Sequence, residues 1–182
     1  MPCAPTWPPP VAEWPATAID AVPGLRLRPA CVDDAGLILR FIIELAVYEK
    51  EPDAVVTDQA GIAASLFGPG ATTRALIAEL DGEPVGYAVW FASYSTWLGR
   101  NGLYLEDLYV TPALRGRGVG KAILRHLAQL AVANGCGRME WSVLDWNAPA
   151  IAFYESVGAR PQSAWTVFRL TGDALSTFAT GR

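Results

Sequence analysis

The chain has few of the residues that build metal clusters or disulfide frameworks. Its 182 residues include one histidine, His126, and three cysteines, Cys3, Cys31 and Cys136. No two cysteines form a Cys-x-x-Cys pair, so the familiar metal-site spacings cannot be assembled and no metal is expected. Odd in number and widely spaced, the thiols read as reduced, which fits a reducing compartment. No apolar run approaches the roughly 20 residues needed to cross a bilayer, so no membrane association is expected. Met1 to Pro10 has neither Lys nor Arg and no apolar h-region, which argues against a signal peptide; a cytoplasmic protein is the expectation. The net charge of −4 lacks the basic balance of a nucleic-acid binder and is compatible with a small cationic substrate. Although only 18% of residues are charged, 52% are hydrophobic, which excludes a disordered chain and allows one sizeable core.

What is present falls into two stretches. Residues 1–23 hold seven of the 14 prolines and read as a loosely ordered, Pro-rich arm. Trp7 and Trp14 could anchor it to the body or to a partner. Residues 24–182 read as a single domain. Leu25 to Arg28 alternates like a strand, and Asp33 or Asp34 can cap a helix with Ile38, Phe41, Ile42 and Leu45 on one stripe. Thr57-Asp58 can cap a second helix through about Phe67, stopped by Gly68-Pro-Gly70. Strands are expected over 74–80 and 85–91, with the hairpin signal Asp81-Gly82 between them, and again over 102–110. A helix over 118–134, a strand over 138–144, a helix over 147–157 capped by Asn147, and a last strand over 165–170 complete the pattern. A hairpin first and helix-separated strands later imply an α/β fold with a mixed sheet flanked by helices.

The segment from Leu105 to Leu124 carries the chemistry. A β-rich run meets Thr111-Pro112, then Arg115-x-x-Gly118-x-Gly120 opens into a helix. The first N–H groups of a helix lack intrahelical partners, and its dipole favours an anion there. Gly116, Gly118 and Gly120 would let a pyrophosphate approach the backbone, while Arg115, Arg117 and Lys121 add positive charge. A P-loop would need Gly at 115 and Ser or Thr at 122, and a dinucleotide fingerprint would need Gly at 121; neither is met. The plainer alternative is a glycine-rich connector between a strand and a helix.

Arg115-x-x-Gly118-x-Gly120 after a strand resembles the acetyl-CoA pyrophosphate loop of the GNAT superfamily of N-acetyltransferases. Trp146-Asn-Ala-Pro-Ala-Ile-Ala-Phe-Tyr-Glu-Ser-Val-Gly-Ala159 resembles that family's late helix. Glu44-Leu-Ala-Val-Tyr-Glu49, Leu103-Tyr-Leu-Glu-Asp107 and Trp146-Asn147 are similar to stretches of its diamine and polyamine branch. The resemblance spans about Leu25 to Leu175 and implies the GNAT fold, with acetyl-CoA as co-substrate.

The resemblance also implies roles. Leu108, Tyr109 and Val110 would line a splayed strand that holds the pantetheine arm, with the Val110 N–H near the thioester oxygen. Arg115, Gly116, Arg117, Gly118, Val119, Gly120 and Lys121 would hold the pyrophosphate, and Asn147 and Ala150 would also contact CoA. Tyr154 would protonate the leaving thiolate, since a phenol titrates near 10 and a thiol near 8.5. Glu106 would be the base, through water, and an anchor for the amine; its neighbour Asp107 is the less favoured candidate. Tyr48 and Glu49 match a substrate-contacting pair, and Glu140, Trp141 and Ser142 match a substrate-lining stretch. For Glu49 and Glu106 a solvated surface carboxylate is the alternative. Glu155-Ser-Val157 stands where the branch carries basic residues, one of which helps to hold CoA. The expected activity is direct acetyl transfer to a small cationic amine, such as a diamine, polyamine or lysine-like amino acid, by a homodimer. Other acceptors (an amino acid, an antibiotic amine, a protein N-terminus) or a non-catalytic acyl-CoA sensor are the rivals.

Overall fold

A computed structural model describes residues 17–18 and 21–181. The chain divides into two compact units, one ending at Ser142 and the other beginning at Val143. The first contains one six-stranded sheet in the order β1 (Thr17–Ala18), β2 (Leu25–Pro29), β3 (Arg74–Leu80), β4 (Glu83–Ser95), β5 (Arg100–Val110), β6 (Met139–Trp141). The first five run antiparallel to their neighbours, and β6 joins β5 in parallel. A parallel neighbour needs a crossover, supplied here by α3 (Val119–Ala133). The mixed sheet flanked by helices is the one expected. Most of the Pro-rich arm lies outside the described residues, but Thr17 and Ala18 pair with Leu27 and Arg26 as an edge strand.

The local signals explain the elements. Asp58 caps α2 (Gln59–Phe67), its carboxylate accepting from the Gly61 N–H at 2.8 Å. Asp81 and Gly82 both take positive φ, 54° and 88°, as the tight β3–β4 hairpin requires. Before α1 (Ala35–Tyr48), Asp34 does not cap through its side chain. It accepts two bonds from the Arg28 guanidinium, at 2.7 and 2.8 Å, and one from the Cys31 N–H. Burial opposes its ionisation, but these bonds win and hold the carboxyl below its ordinary value.

Both faces of the sheet are covered. Under α1 and α2 lie Ala75, Ile77, Tyr87, Val89 and Tyr109, packed with Ile38, Phe41, Ile62 and Leu66. Leu76, Ala78, Ala88, Trp90, Leu103 and Leu105 are buried on the other face, and α3 buries Val119, Ile123 and Leu127. His126 is buried in α3 and packs within the fold.

The second unit contains α4 (Ala148–Ser156) and α5 (Gly172–Thr180). The expected strand over 165–170 is not formed. Those residues join no ladder, with Trp165, Val167 and Phe168 between 69% and 92% exposed. Alternation prepares a strand, but its backbone needs a partner, and this unit has no other strand among the described residues. Helix α5 went unread. The strand expected over 138–144 is reduced to three residues.

Candidate active site

The site is organised by one irregularity in β5. Val89 pairs with Asp107 and Trp90 with Leu105, so Glu106 is the extra residue of a bulge in the β4–β5 register. Such a bulge bends the strand and reverses its parity. Leu103 and Leu105 share the face of Trp90, whereas Asp107 and Tyr109 share that of Val89 and Tyr87. Simple alternation would have placed all four odd residues on one side.

As a result Glu106 and Asp107 line the same cavity, of about 430 Å³. Its remaining wall comes from α1 (Ile42, Leu45, Ala46, with Glu49 just beyond) and from Glu51, Ala54, Val55, Val56 and Thr57. Four carboxylates thus meet an aliphatic wall. Asp107 accepts a hydrogen bond from the Tyr87 hydroxyl at 2.8 Å, and the Tyr87 ring stacks on Phe41. Burial pushes the Asp107 carboxyl up, although the Tyr87 bond partly offsets it. Burial also raises Glu49, and the nearby charge of Asp107 adds to that. Two half-buried carboxyls repelling each other form a site ready for a cation.

The residues expected from the resemblance divide on this geometry. Glu49 and Glu106 line the cavity, and so does Asp107, the less favoured of the acidic pair, which is held by Tyr87. Its signal was Tyr87, twenty positions away, which only the β4–β5 register brings beside it. Glu51 was not singled out at all. Glu140 instead pairs with Arg138 at 2.7 Å and is not among the residues lining the cavity. Trp141 sits opposite Leu105 at the end of β6, and the Ser142 hydroxyl lies 2.9 Å from that of Tyr104. Tyr48 packs under the Arg115 guanidinium, 4.3 Å from ring centroid to Cζ.

On its other edge β5 is open. Pairing with β6 stops at Leu105–Trp141, and β5 continues to Val110. The Thr111 N–H donates to the Val85 carbonyl at 2.9 Å. Alternate residues of a ladder point their amides to the same side, so Leu108 and Val110 aim theirs away from β4, where β6 has ended. The Val110 carbonyl accepts from Arg115 Nε at 3.0 Å. Tyr109 is buried and donates its hydroxyl to Glu44 at 2.8 Å; burial and that bond raise the phenol to about 12.

Beyond Val110, the loop turns into α3 through Gly116 and Gly118, at φ 75° and 89°, a region that side chains with a Cβ rarely enter. Gly120 is helical, and a Cβ there would meet Leu108 and Val110 at an ordinary 3.8 Å. Arg117 and Lys121 are exposed beside the first turn. An open strand edge, a left-handed glycine turn and the N-terminus of a 15-residue helix suit an extended amide-containing arm that ends in a pyrophosphate. In the second unit, Asn147 caps α4 through the Ala150 N–H at 3.4 Å, and the Phe153 and Tyr154 rings lie 5.3 Å apart.

The comparisons agree with this architecture. Residues 41–159 match the acetyltransferase (GNAT) family. The thialysine N-epsilon-acetyltransferase of Bos taurus is 41% identical, covering 85% of this chain and 97% of its own length. The spermidine/spermine N(1)-acetyltransferase-like protein 1 of Homo sapiens is 35% identical across 85% of this chain, but only 24% of its own. An integron cassette protein from the mobile metagenome of V. cholerae superposes with a TM-score of 0.73 at 23% identity, covering 86% of this chain and 98% of that one. The chain belongs to the GNAT acetyltransferase family. Within it, the chain is an N-acetyltransferase whose relatives match the thialysine and polyamine-type branch.

Proposed function

We propose that this enzyme transfers an acetyl group from acetyl-CoA to the primary amine of a small cationic acceptor, a lysine analogue, diamine or polyamine, by direct transfer in a ternary complex. The observation that carries the reading is the cavity in which Glu49, Glu51, Glu106 and Asp107 face the aliphatic wall of Ile42, Leu45 and Val55. Methylenes fit the wall, and ammonium groups fit the carboxylates. With a pKa near 10.4 the amine arrives charged, so it must lose a proton before it can attack. Glu106, exposed at the bulge, would take that proton through water, while Asp107 and Glu49 hold the cation. The open-edge Val110 N–H would stabilise the thioester oxyanion, the backbone of the 115–121 loop with Arg117 and Lys121 would hold the pyrophosphate, and the Tyr154 phenol would protonate the departing thiolate. Asn147 and Ala150 would contribute to the CoA site, and the 24–182 stretch would act as one catalytic domain.

The test is release of free CoA thiol from acetyl-CoA across a panel containing thialysine, lysine, diamines, polyamines and monoamines of matched length. Acceptors with a second charged group should exceed the monoamine by about tenfold or more in kcat/KM, the selectivity expected from one extra charge pair in a partly desolvated site. Equal values would remove the multi-carboxylate reading and return amino-acid and antibiotic amines to the lead.

A further inference from the structure

We infer that Arg115 is a positioning residue for the transfer reaction, its guanidinium acting on the acceptor side of β5 and not on phosphate. The inference rests on the proposed function. The sequence offers three loop cations for a pyrophosphate, but this one is committed elsewhere. Its Nε donates to the Val110 carbonyl at 3.0 Å. Its Cζ lies 4.3 Å from the centroid of the Tyr48 ring and 5.6 Å from that of Tyr109. Although Arg115 is exposed, as Arg117 and Lys121 are at the first turn of α3, reaching a phosphate would uncap Val110 and abandon the Tyr48 stack.

The two ends that Arg115 joins are those the reaction must keep in register. On one side, α1 ends at Tyr48 without a basic residue in its last turn, so the guanidinium supplies the cation that complements the helix dipole. The next residue, Glu49, lines the acceptor cavity. On the other side, Val110 ends β5 and carries the amide aimed at the open edge. Tyr109 strengthens the tie, because its hydroxyl donates to Glu44, one turn back from Tyr48 on the same helix. A planar, permanently charged fork suits this task; an ammonium cannot stack on Tyr48 while keeping the Nε bond.

The test uses the full chain with Arg115→Gln, Arg115→Lys and the pair with Tyr48→Leu. By titration calorimetry, CoA should bind Arg115→Gln within about threefold of wild type. With an acceptor identified by thiol release, its kcat/KM should fall at least tenfold while the KM for acetyl-CoA stays within threefold, and Arg115→Lys should not rescue it. In thermal unfolding, adding Arg115→Gln to Tyr48→Leu should cost less than half of what it costs alone. Tenfold weaker CoA binding rescued by Lys would make Arg115 a phosphate ligand and overturn the inference. Additive thermal losses, or kcat and both KM values left unchanged, would overturn it equally. Should wild type bind CoA yet acetylate no amine, the acceptor class falls, while calorimetry and the thermal cycle still decide Arg115.

Discussion

Asp107 and Glu49 set the pH behaviour of the cavity. Both carboxyls sit above their ordinary values, chiefly through burial. As pH falls they take up protons sooner than exposed carboxylates, so the attraction for an ammonium is lost in a window above about pH 4. The KM for a cationic acceptor should therefore rise as pH falls through that window. Asp107→Asn should flatten the profile and lower kcat/KM by about tenfold, the selectivity expected from one charge pair in a partly desolvated site. Stability moves the opposite way. A carboxyl raised in the folded state weakens the fold as pH rises from its unfolded value through its folded one. Above that window Asp107→Asn should unfold no earlier than wild type; an earlier thermal midpoint would show that the charge supports the fold. Glu106→Gln should lower kcat and raise KM together if one carboxylate serves as both base and anchor. Tyr154→Phe removes one proton donor while keeping the ring; kcat should fall about 10²–10⁴-fold with CoA affinity little changed. A variant with most of the wild-type rate would show that Tyr154 is not the proton donor.

Between elements, the glycine turn and the Arg28–Asp34 clamp give the clearest contrasts. Gly118→Ala must hold a Cβ at φ 89°, where the added atom also meets Val22 at 3.2 Å. A cost of about 1–2 kcal/mol in denaturant unfolding is expected, with weakened CoA binding. Gly120→Ala sits in the helix with ordinary contacts, so it should be neutral or stabilise by up to about 1 kcal/mol. If both variants unfold alike, the left-handed turn is not what the loop depends on. The clamp joins β2 to the start of α1, and Glu79 of β3 adds a bond to Arg28 Nε at 2.6 Å. Because Asp34 is lowered in the folded state, its contribution is complete above its unfolded value and is lost as pH falls through the folded one. Asp34→Asn should cost roughly 1.5–3 kcal/mol at neutral pH, the range for hydrogen bonds to charged groups. That difference should shrink in acid-titrated thermal melts.

For the whole molecule we propose a two-fold homodimer. The second unit exposes Val167, Phe168 and Phe178 at 79% to 92%, apolar side chains that a two-fold contact would bury. A mass near twice 19.5 kDa is expected by light scattering at micromolar concentration. Phe168→Asp with Phe178→Asp should shift it toward the monomer. A monomeric wild type would overturn the assembly.

Most elements are legible in the sequence because their signals are local. Asp58 caps where it stands, Asp81-Gly82 turns where φ must be positive, and the apolar stripes of α1 and α3 repeat within a few residues. The glycine loop and its helix were legible for the same reason, and so were Glu49 and Glu106 as candidates. Features that depend on a partner far along the chain emerge only in the folded molecule. Residues 165–170 alternate like a strand but find none to pair with. The bulge at Glu106 arises only when β5 is laid against β4, and it alone turns Asp107 toward Glu49 and Tyr87. In the sequence Arg115 is one of three loop cations; only the fold brings Tyr48, 67 positions earlier in the chain, beneath its guanidinium. Periodicity encodes which face a residue takes within one regular element, whereas register and long-range contact are fixed only when separate elements pack.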